Sequence, residues 1–448
     1  LAGSGREAPR VSASKRQDLL LAGWCLIAVA IGIWLRAQRL GEPAGLAWDE
    51  HHFVRTAQNY LVGAKDWNDH PPLGKLLIAQ GIHWFGDVSF AWRASALASG
   101  IANTALVGLL AARLFHDWRA GLIAAAFLAG DGFFIAYSRT ALLDGVVATF
   151  VLATACVAVR AKSALRVGLG AVLLGLGCSV KFSAVVMIVP LLIATLVGRA
   201  PRWSVLLLAL TPLTYFLVYR HGLMLQHAPH GVADVLAATR DLYEHHAKLT
   251  DGKHPLISPW YSWLLPLKPI AMRYSELDGV VRSMTSMGNP LLWWGASLSV
   301  LVALAGLLSA LSQRARAVLR ARPTPLGTIG SLDSAELWCL LLWALPVVPW
   351  ILSRRDSYIY HYLPAYGFGV ALVAGKIARA LTDRKRLGLV GVGAITLCSW
   401  WVSPVNAEIP VSRTGYELRL WLPAWRRAPL KPNASSSARE RPPAARQP

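Results

Sequence analysis

Eleven apolar stretches recur along the chain, and they limit its possible folds more than any other feature. Each comes close to the roughly 20 residues that a helix needs to cross the hydrocarbon core of a membrane. In chain order they are 19–39, 94–114, 119–137, 143–160, 165–180, 182–198, 203–221, 291–311, 335–353, 359–380 and 387–404. Within lipid a helix satisfies its own backbone hydrogen bonds. The sequence therefore predicts an all-α polytopic membrane protein with about eleven transmembrane helices.

The composition excludes the common soluble classes. Hydrophobic residues make up 55% of the 448 residues and charged residues only 15%, whereas a soluble domain contains about 25% charged residues. The net charge of +21 indicates basic loops beside a bilayer, because Lys and Arg accumulate in cytoplasmic loops. We therefore expect the lipid bilayer as a partner and no nucleic acid.

The short basic connections predict the orientation in the membrane. Nearly all the basic residues of the short connections lie in five of them: 113–119, 160–166, 199–202, 313–322 and 376–386. With alternating helices they fall on one side together with the N-terminal segment 1–18, which predicts a cytoplasmic N-terminus. Two long loops, 40–93 and 222–290, are then exterior. Arg354 and Arg355 also fall outside, against the rule, and so require a functional explanation.

The domain organisation follows from this orientation. Residues 19–404 form one transmembrane domain, and its polar chemistry lies in the two exterior loops. The remainder, 405–448, is an exterior C-terminal tail, predicted to be disordered from about residue 429 because it is rich in Pro, Ser, Ala and Arg. We expect a multi-pass protein of the plasma membrane with an active site on the exterior face.

Two adjacent carboxylates, Asp49 and Glu50, follow directly after the first span. Acidic groups at a membrane boundary are costly and commonly functional. Asp49 could cap a helix predicted over 50–62. It could equally serve as a general base, with a pKa raised by desolvation and lowered by nearby cations.

A second motif, Asp69-His70-Pro71-Pro72-Leu73-Gly74-Lys75, lies in the same loop. The prolines favour an extended segment, and the glycine permits a turn before a helix. A rigid loop with a solvated lysine would explain the prolines alone. A loop that holds polar groups against a substrate would also explain the flanking His70 and Lys75.

Several cationic side chains are expected near the exterior boundary. They are Arg93, Arg139, Lys181, Arg354, Arg355 and His361. Any one of them could extend to the lipid headgroups, whereas several at one depth suggest a shared anionic target such as a lipid phosphate. The loop histidines and the five cysteines lack metal-ligand spacing, so no metal site is predicted.

Six segments together resemble the dolichyl-phosphate-mannose protein O-mannosyltransferases, and the chain looks like a prokaryotic-type member. The segments are 49–53, 69–75, 138–144, Ser258-Pro259-Trp260-Tyr261-Ser262-Trp263, Met287-Gly288-Asn289-Pro290-Leu291-Leu292-Trp293-Trp294 and Tyr360-His361-Tyr362-Leu363-Pro364. They occur in family order, and the second is the most specific. The loop 222–290 is too short for the β-trefoil domain of eukaryotic members.

The resemblance implies a GT-C glycosyltransferase fold and an inverting transfer of mannose from polyprenyl-phosphate mannose to Ser/Thr hydroxyls of proteins. Asp49 matches the catalytic acid residue, which would take the acceptor's proton, and Glu50 matches its acceptor-associated neighbour. For the donor phosphate Arg93 is the first choice, followed by Arg139, Lys181 and His361. The substrate loop would include His70, Pro71, Pro72, Lys75 and Asn289. No cofactor is expected, because the lipid-linked sugar is itself a substrate with a phosphate leaving group.

Two alternatives remain open from the sequence. A related GT-C enzyme could glycosylate a lipid or an envelope glycan, as aminoarabinose transferases do, and only the segments 69–75 and 288–290 argue against it. A transporter or flippase would be expected to place charges at mid-membrane, often within internal repeats. The polar residues here are predicted in the loops instead.

Overall fold

A computed structural model describes residues 13–67, 69–198, 201–250, 252, 254–319 and 333–427. Most of the predicted cytoplasmic segment 1–18 lies outside the described residues. The predicted disorder from about residue 429 lies outside them as well. The site residues proposed from the sequence are all among the described residues.

Helices occupy every predicted apolar stretch and parts of both long loops. The helices are α1 Ala13–Ala37, α2 Glu50–Val62, α3 Leu73–Phe85, α4 Ser89–Phe115, α5 Trp118–Gly130, α6 Gly132–Ser138, α7 Asp144–Ala158, α8 Ala164–Cys178, α9 Ile188–Val197, α10 Ser204–Leu225, α11 Val232–Ala247, α12 Pro290–Leu319, α13 Ser334–Leu352, α14 Leu363–Asp383, α15 Lys385–Asn406 and α16 Arg413–Glu417. Short 3₁₀ turns precede α9 and α14, at Phe182–Met187 and Ile359–Tyr362.

Helix length and apolar composition confirm a multi-pass membrane protein. Among the described residues, six helices are long and apolar enough to cross a membrane alone: α1, α4, α10, α12, α13 and α15. The pair α5 and α6, bent by 63°, gives a seventh if it counts as one span. The helices α7 and α8 and the 3₁₀ turn joined to α9 are apolar but shorter. The number eleven therefore stays a prediction.

Small residues allow the helices to approach closely. Gly108 of α4 faces the backbone of Gly121 in α5, and Gly375 of α14 packs directly on the ring of Phe115, which leaves no room for a side chain. Close backbone approach through small residues is how helices associate in lipid. The helix α14 is buried along most of its length and lies at the centre of the core.

A small antiparallel sheet was not predicted, and it qualifies the all-α expectation. Its strands are β1 Ala271–Leu277, β2 Val280–Thr285 and β3 Val411–Ser412, in the order β1-β2-β3. Tyr274 pairs with Ser283, and Val281 pairs with Val411. The strands are short and lie in connections, so their alternation was too brief to detect. The third strand ties the C-terminal segment to the second long loop.

Both long loops pack together at one end of the helices, which we call the loop end. The ring of His70 stacks on His246 with centroids 5.0 Å apart, and Trp67 meets His245 at 4.6 Å. The basic connection 113–119 contacts the N-terminal part of the chain instead, since Arg119 pairs with Asp18 at 2.8 Å. This grouping agrees with the predicted alternation, although which end faces the cytoplasm stays a prediction.

Candidate active site

Glu50 is the most completely bonded carboxylate at the loop end. It opens α2 and is buried. One carboxylate oxygen accepts from Arg93 Nε and from the backbone N–H of Ala141, both at 2.8 Å. The other accepts from Arg93 Nη2 at 2.8 Å and from the backbone N–H of Ala47 at 2.7 Å. Glu50 therefore joins the first long loop to α4 and to the turn after α6.

Arg93 has no donor left for a phosphate. Besides Glu50, its Nη1 donates to the carbonyl oxygens of Leu40 and Pro43 at 3.1 and 3.2 Å. Its Nη2 donates to the carbonyl oxygen of Gly45 at 2.8 Å. A guanidinium has five N–H donors, and these bonds use all of them in a fully buried position. The geometry thus argues against the predicted phosphate role and assigns Arg93 to holding Glu50 and the connection 40–45.

Asp49 differs from its neighbour because no described residue forms a hydrogen bond or an ion pair with its carboxylate. It precedes α2 at the capping position, yet its side chain makes no capping hydrogen bond. Burial raises the pKa of the Asp49 carboxyl above its ordinary value, and nearby His52 and His51 partly oppose the rise. Asp144 adds to it. A half-buried, unbonded carboxylate with a raised pKa is suited to accept a proton.

A narrow cleft near these groups is lined by two of the residues predicted to bind the donor phosphate. Lys181 and His361 line it together with Asp144 and Tyr360. The Lys181 ammonium lies 2.8 Å from Asp144 and 5.2 Å from the centre of the Tyr360 ring. The charge of Asp144 raises the pKa of Asp49, so the cleft and the Asp49 carboxylate lie within electrostatic reach of each other.

Arg355 belongs to the predicted cationic group, although it was not among the four residues assigned to the donor phosphate. It follows α13, and its enclosed Nε has no hydrogen-bond partner among the described residues. Its guanidinium lies 5.7 Å from the ring of Trp350, which stacks on His361 at 3.7 Å. No carboxylate pairs with it in the part of the chain described. The sequence did contain one signal for this residue, because Arg355 is predicted on the exterior side, where the positive-inside rule does not expect an arginine.

The motif 69–75 shapes the loop more than it lines the cleft. Pro71 and Pro72 are buried, and the N–H of Leu73 donates to the carbonyl of Ser179 at 2.9 Å, two residues before Lys181. Lys75 is buried and donates to the carbonyl of His70 at 2.5 Å. The motif therefore supports the segment that carries Lys181.

Burial lowers the pKa of two titratable groups in this motif. It lowers the pKa of Lys75 to about 8, although Asp69 at 3.9 Å opposes the effect. It also lowers the pKa of His70 well below the ordinary value, and the charge of Lys181 adds to this. His70 is therefore neutral near pH 7, and its ring packs between Phe53 and His246.

Two predicted site residues lie elsewhere. The Nη1 of Arg139 donates to three carbonyl oxygens at the end of α1, and its Nη2 lies 3.3 Å from Glu408. Asn289 is buried and caps α12, with its side-chain oxygen accepting from the N–H groups of Leu291 and Leu292. Its amide nitrogen donates into α15. Asn289 therefore joins α12 to α15.

The histidines at the loop end form packed rings. His51 and His52 lie 3.8 Å apart between ring centres. Within the described ranges no three His, Cys, Asp or Glu side chains lie in an arrangement that could hold a metal ion.

Three family descriptions match consecutive parts of the chain. "Dolichyl-phosphate-mannose-protein mannosyltransferase" matches residues 26–92 and, through a second description of the same title, residues 69–222. "C-terminal four TMM region of protein-O-mannosyltransferase" matches residues 232–425. Together they cover the described chain from the first span to the C-terminal segment.

Whole-chain comparisons agree with these matches. The chain is 26% identical to the polyprenol-phosphate-mannose–protein mannosyltransferase of Mycolicibacterium smegmatis, over 90% of this chain and 93% of that protein. Its structure is similar to the Saccharomyces cerevisiae protein O-mannosyltransferase Pmt1-Pmt2 complex bound to the sugar donor, with a TM-score of 0.74, 12% identity and 93% of each chain covered. It is also similar to the structure of ArnT from Cupriavidus metallidurans bound to undecaprenyl phosphate. The TM-score is 0.54 and the sequence identity 16%, over 88% of this chain and 66% of that chain. The structural likenesses confirm the predicted GT-C fold.

Proposed function

The chain belongs to the dolichyl-phosphate-mannose–protein mannosyltransferase family, and from this we propose that it transfers mannose from polyprenyl-phosphate mannose to Ser/Thr hydroxyls of proteins. It is a membrane-embedded mannosyltransferase. The names of its relatives support the donor and the protein acceptor. The observation that carries our account of the chemistry is the Asp49 carboxylate, which has no hydrogen-bond partner among the described residues, near the cleft of Lys181 and His361.

Asp49 acts as the general base in this proposal. The acceptor hydroxyl attacks the anomeric carbon while Asp49 takes its proton, and the bond from that carbon to the phosphate oxygen breaks. Positioned proton transfer of this kind contributes about 10²–10⁴ to a rate. Glu50 acts through Arg93, since their buried bonds fix the backbone on both sides of Asp49. One displacement inverts the configuration at the anomeric carbon.

The leaving phosphate is stabilised by cations in the cleft. Lys181 has three N–H donors, and Asp144 engages one of them, so the others are available to a phosphate oxygen. Arg355 adds a guanidinium that has no carboxylate partner among the described residues, and it lies against Trp350, which lines the cleft together with His361. A phosphate departs as a stable anion, so the proposed step requires no general acid, metal or nucleotide. Charge stabilisation in a site partly closed to water suffices.

The proposed site faces the exterior of the plasma membrane. The loop end contains the site, and the short basic connections belong to the other end of the helices. Because basic connections favour the cytoplasm, the loop end is exterior in this proposal and the N-terminus is cytoplasmic. Acceptors would be proteins that have crossed or entered the membrane.

A reconstituted transfer assay tests the proposal. Purified enzyme in nanodiscs receives short-chain polyprenyl-phosphate mannose and a synthetic Ser/Thr peptide, and mass spectrometry with linkage analysis follows the product. We expect α-linked mannose on peptide hydroxyls from a β-linked donor. Hexose transfer only to a lipid or glycan acceptor added in parallel would support the related GT-C activity and refute protein O-mannosylation.

A further inference from the structure

A second cleft at the loop end is unusually rich in arginine. It is lined by four arginines and two glutamates, and we call it the arginine cleft: Arg39, Arg139, Arg273, Arg282, Glu42 and Glu408. It shares no lining residue with the cleft of Lys181 and His361. The proposed transfer chemistry uses none of these groups.

The carboxylates in the arginine cleft do not balance its cations. Glu408 pairs with Arg273 at 2.6 Å and with Arg139 at 3.3 Å, and Glu42 pairs with Arg39. Four guanidinium groups thus face two carboxylates, which leaves two positive charges uncompensated.

Two of the guanidinium groups have unused donors. Arg282 forms no ion pair within the described part of the chain. The Nε of Arg139 is enclosed and has no hydrogen-bond partner among the described residues, although the side chain is only 3% exposed. Enclosed donors with surplus positive charge favour an anionic ligand, and guanidinium groups suit carboxylates in particular.

The arginine cleft is connected to the proposed site through the backbone. Arg39 begins the connection that ends at Asp49, and Arg93 holds its carbonyl oxygens at Leu40 and Pro43. Ten residues span at most about 35 Å when extended, so this is an upper limit on the distance between Arg39 and Asp49. An extended polypeptide of about ten residues could therefore occupy both places.

We propose that the arginine cleft binds an acidic side chain of the acceptor polypeptide while a nearby Ser or Thr reaches Asp49. This inference rests on the proposed function, because it takes a protein as the acceptor. A polypeptide is favoured over a lipid headgroup because Arg273 and Arg282 project from strands β1 and β2, which belong to the loop and not to a spanning helix. An Asp or Glu within about ten residues of the modified hydroxyl would then strengthen binding.

Matched peptides and matched variants test the inference. One fluorescent Thr peptide carries two Glu residues near the Thr, and its partner carries two Gln residues. We expect the acidic peptide to bind the wild-type enzyme in nanodiscs roughly three- to fivefold more tightly, the scale of one partly exposed ion pair, with KM changed alike and kcat unchanged. Arg282→Gln should abolish the difference. Arg240→Gln, which removes an exposed arginine of α11 paired with Glu244, should preserve it.

Three results would overturn the inference. They are equal binding of both peptides by the wild type, an equal loss in both variants, and a dependence on anionic lipid in the nanodisc with none on peptide charge. The last result would indicate a headgroup site. Anisotropy reports peptide binding without turnover, so absent transfer with a retained preference for the acidic peptide would count against the proposed function alone.

Discussion

At the residue scale, Glu50 and Arg93 form a buried ion pair whose remaining hydrogen-bonding capacity is also satisfied. Such a pair adds little stability compared with an apolar pair, but removing one partner leaves the other charge buried and unpaired. The adjacent Asp49 keeps a free carboxylate. Two neighbouring acids therefore have different roles, because one is fixed by an arginine and the other is left available.

Arg93→Ala should destabilise the protein. It leaves the Glu50 carboxylate without its cation and three backbone carbonyls without a donor, a loss of about 3–5 kcal/mol in the free energy of unfolding. Arg93→Lys should recover part of the lost stability, since the Lys ammonium supplies a positive charge but not the paired hydrogen bonds of the planar guanidinium. Thermal unfolding in detergent measures both. If Arg93→Ala kept normal stability and lost only donor binding, the phosphate role would be restored.

Arg355→Gln should weaken donor binding about tenfold or more, the effect of losing a hydrogen bond to a charged group. The matched control is Arg354→Gln, which removes the same charge from an exposed neighbour. The dissociation constant for polyprenyl-phosphate mannose gives the measurement. Equal effects of the two variants would mean that Arg355 contributes only long-range charge.

At the element scale, packing decides which polar side chains reach the site. Sequence patterns predicted the apolar helices correctly, because periodicity carries that information, whereas the catalytic role of the acidic pair stays a prediction. They do not show which groups pair across the fold. For that reason Arg139 and Asn289 were predicted in the site, although one holds the end of α1 and the other joins α12 to α15. The sheet was missed because its strands are short and lie in connections, and its third strand also comes from a distant segment.

Arg139→Leu should loosen the end of α1 and leave donor affinity intact. The arginine satisfies carbonyl oxygens at a helix C-terminus, where a cation is worth up to about 2 kcal/mol in a partly buried place. Thermal unfolding should show a loss on that scale, and the dissociation constant for the donor should stay within twofold of wild type. A large loss of donor affinity with unchanged stability would return Arg139 to the phosphate site.

At the scale of the whole molecule, the account depends on which end of the protein faces outward. All five cysteines are buried, so single introduced cysteines can report exposure against a low background. Arg240 lies at the loop end and Arg160 in a basic connection, and both residues are exposed. The two variants are therefore Arg240→Cys and Arg160→Cys. A membrane-impermeant maleimide applied to intact cells should label the first and spare the second. The opposite pattern would place the site in the cytoplasm.

The central claim is that the unengaged carboxylate of Asp49 takes the acceptor's proton. The most direct measurement is the single-turnover transfer rate of Asp49→Asn with saturating donor and peptide. We predict normal folding and donor binding, because the carboxylate makes no hydrogen bond that Asn would lose, with a rate lowered by roughly 10²–10⁴. Asp87→Asn, the same chemical change at an exposed residue that accepts hydrogen bonds from Gln58 and Trp92, should transfer normally. A near wild-type rate for Asp49→Asn would contradict the account.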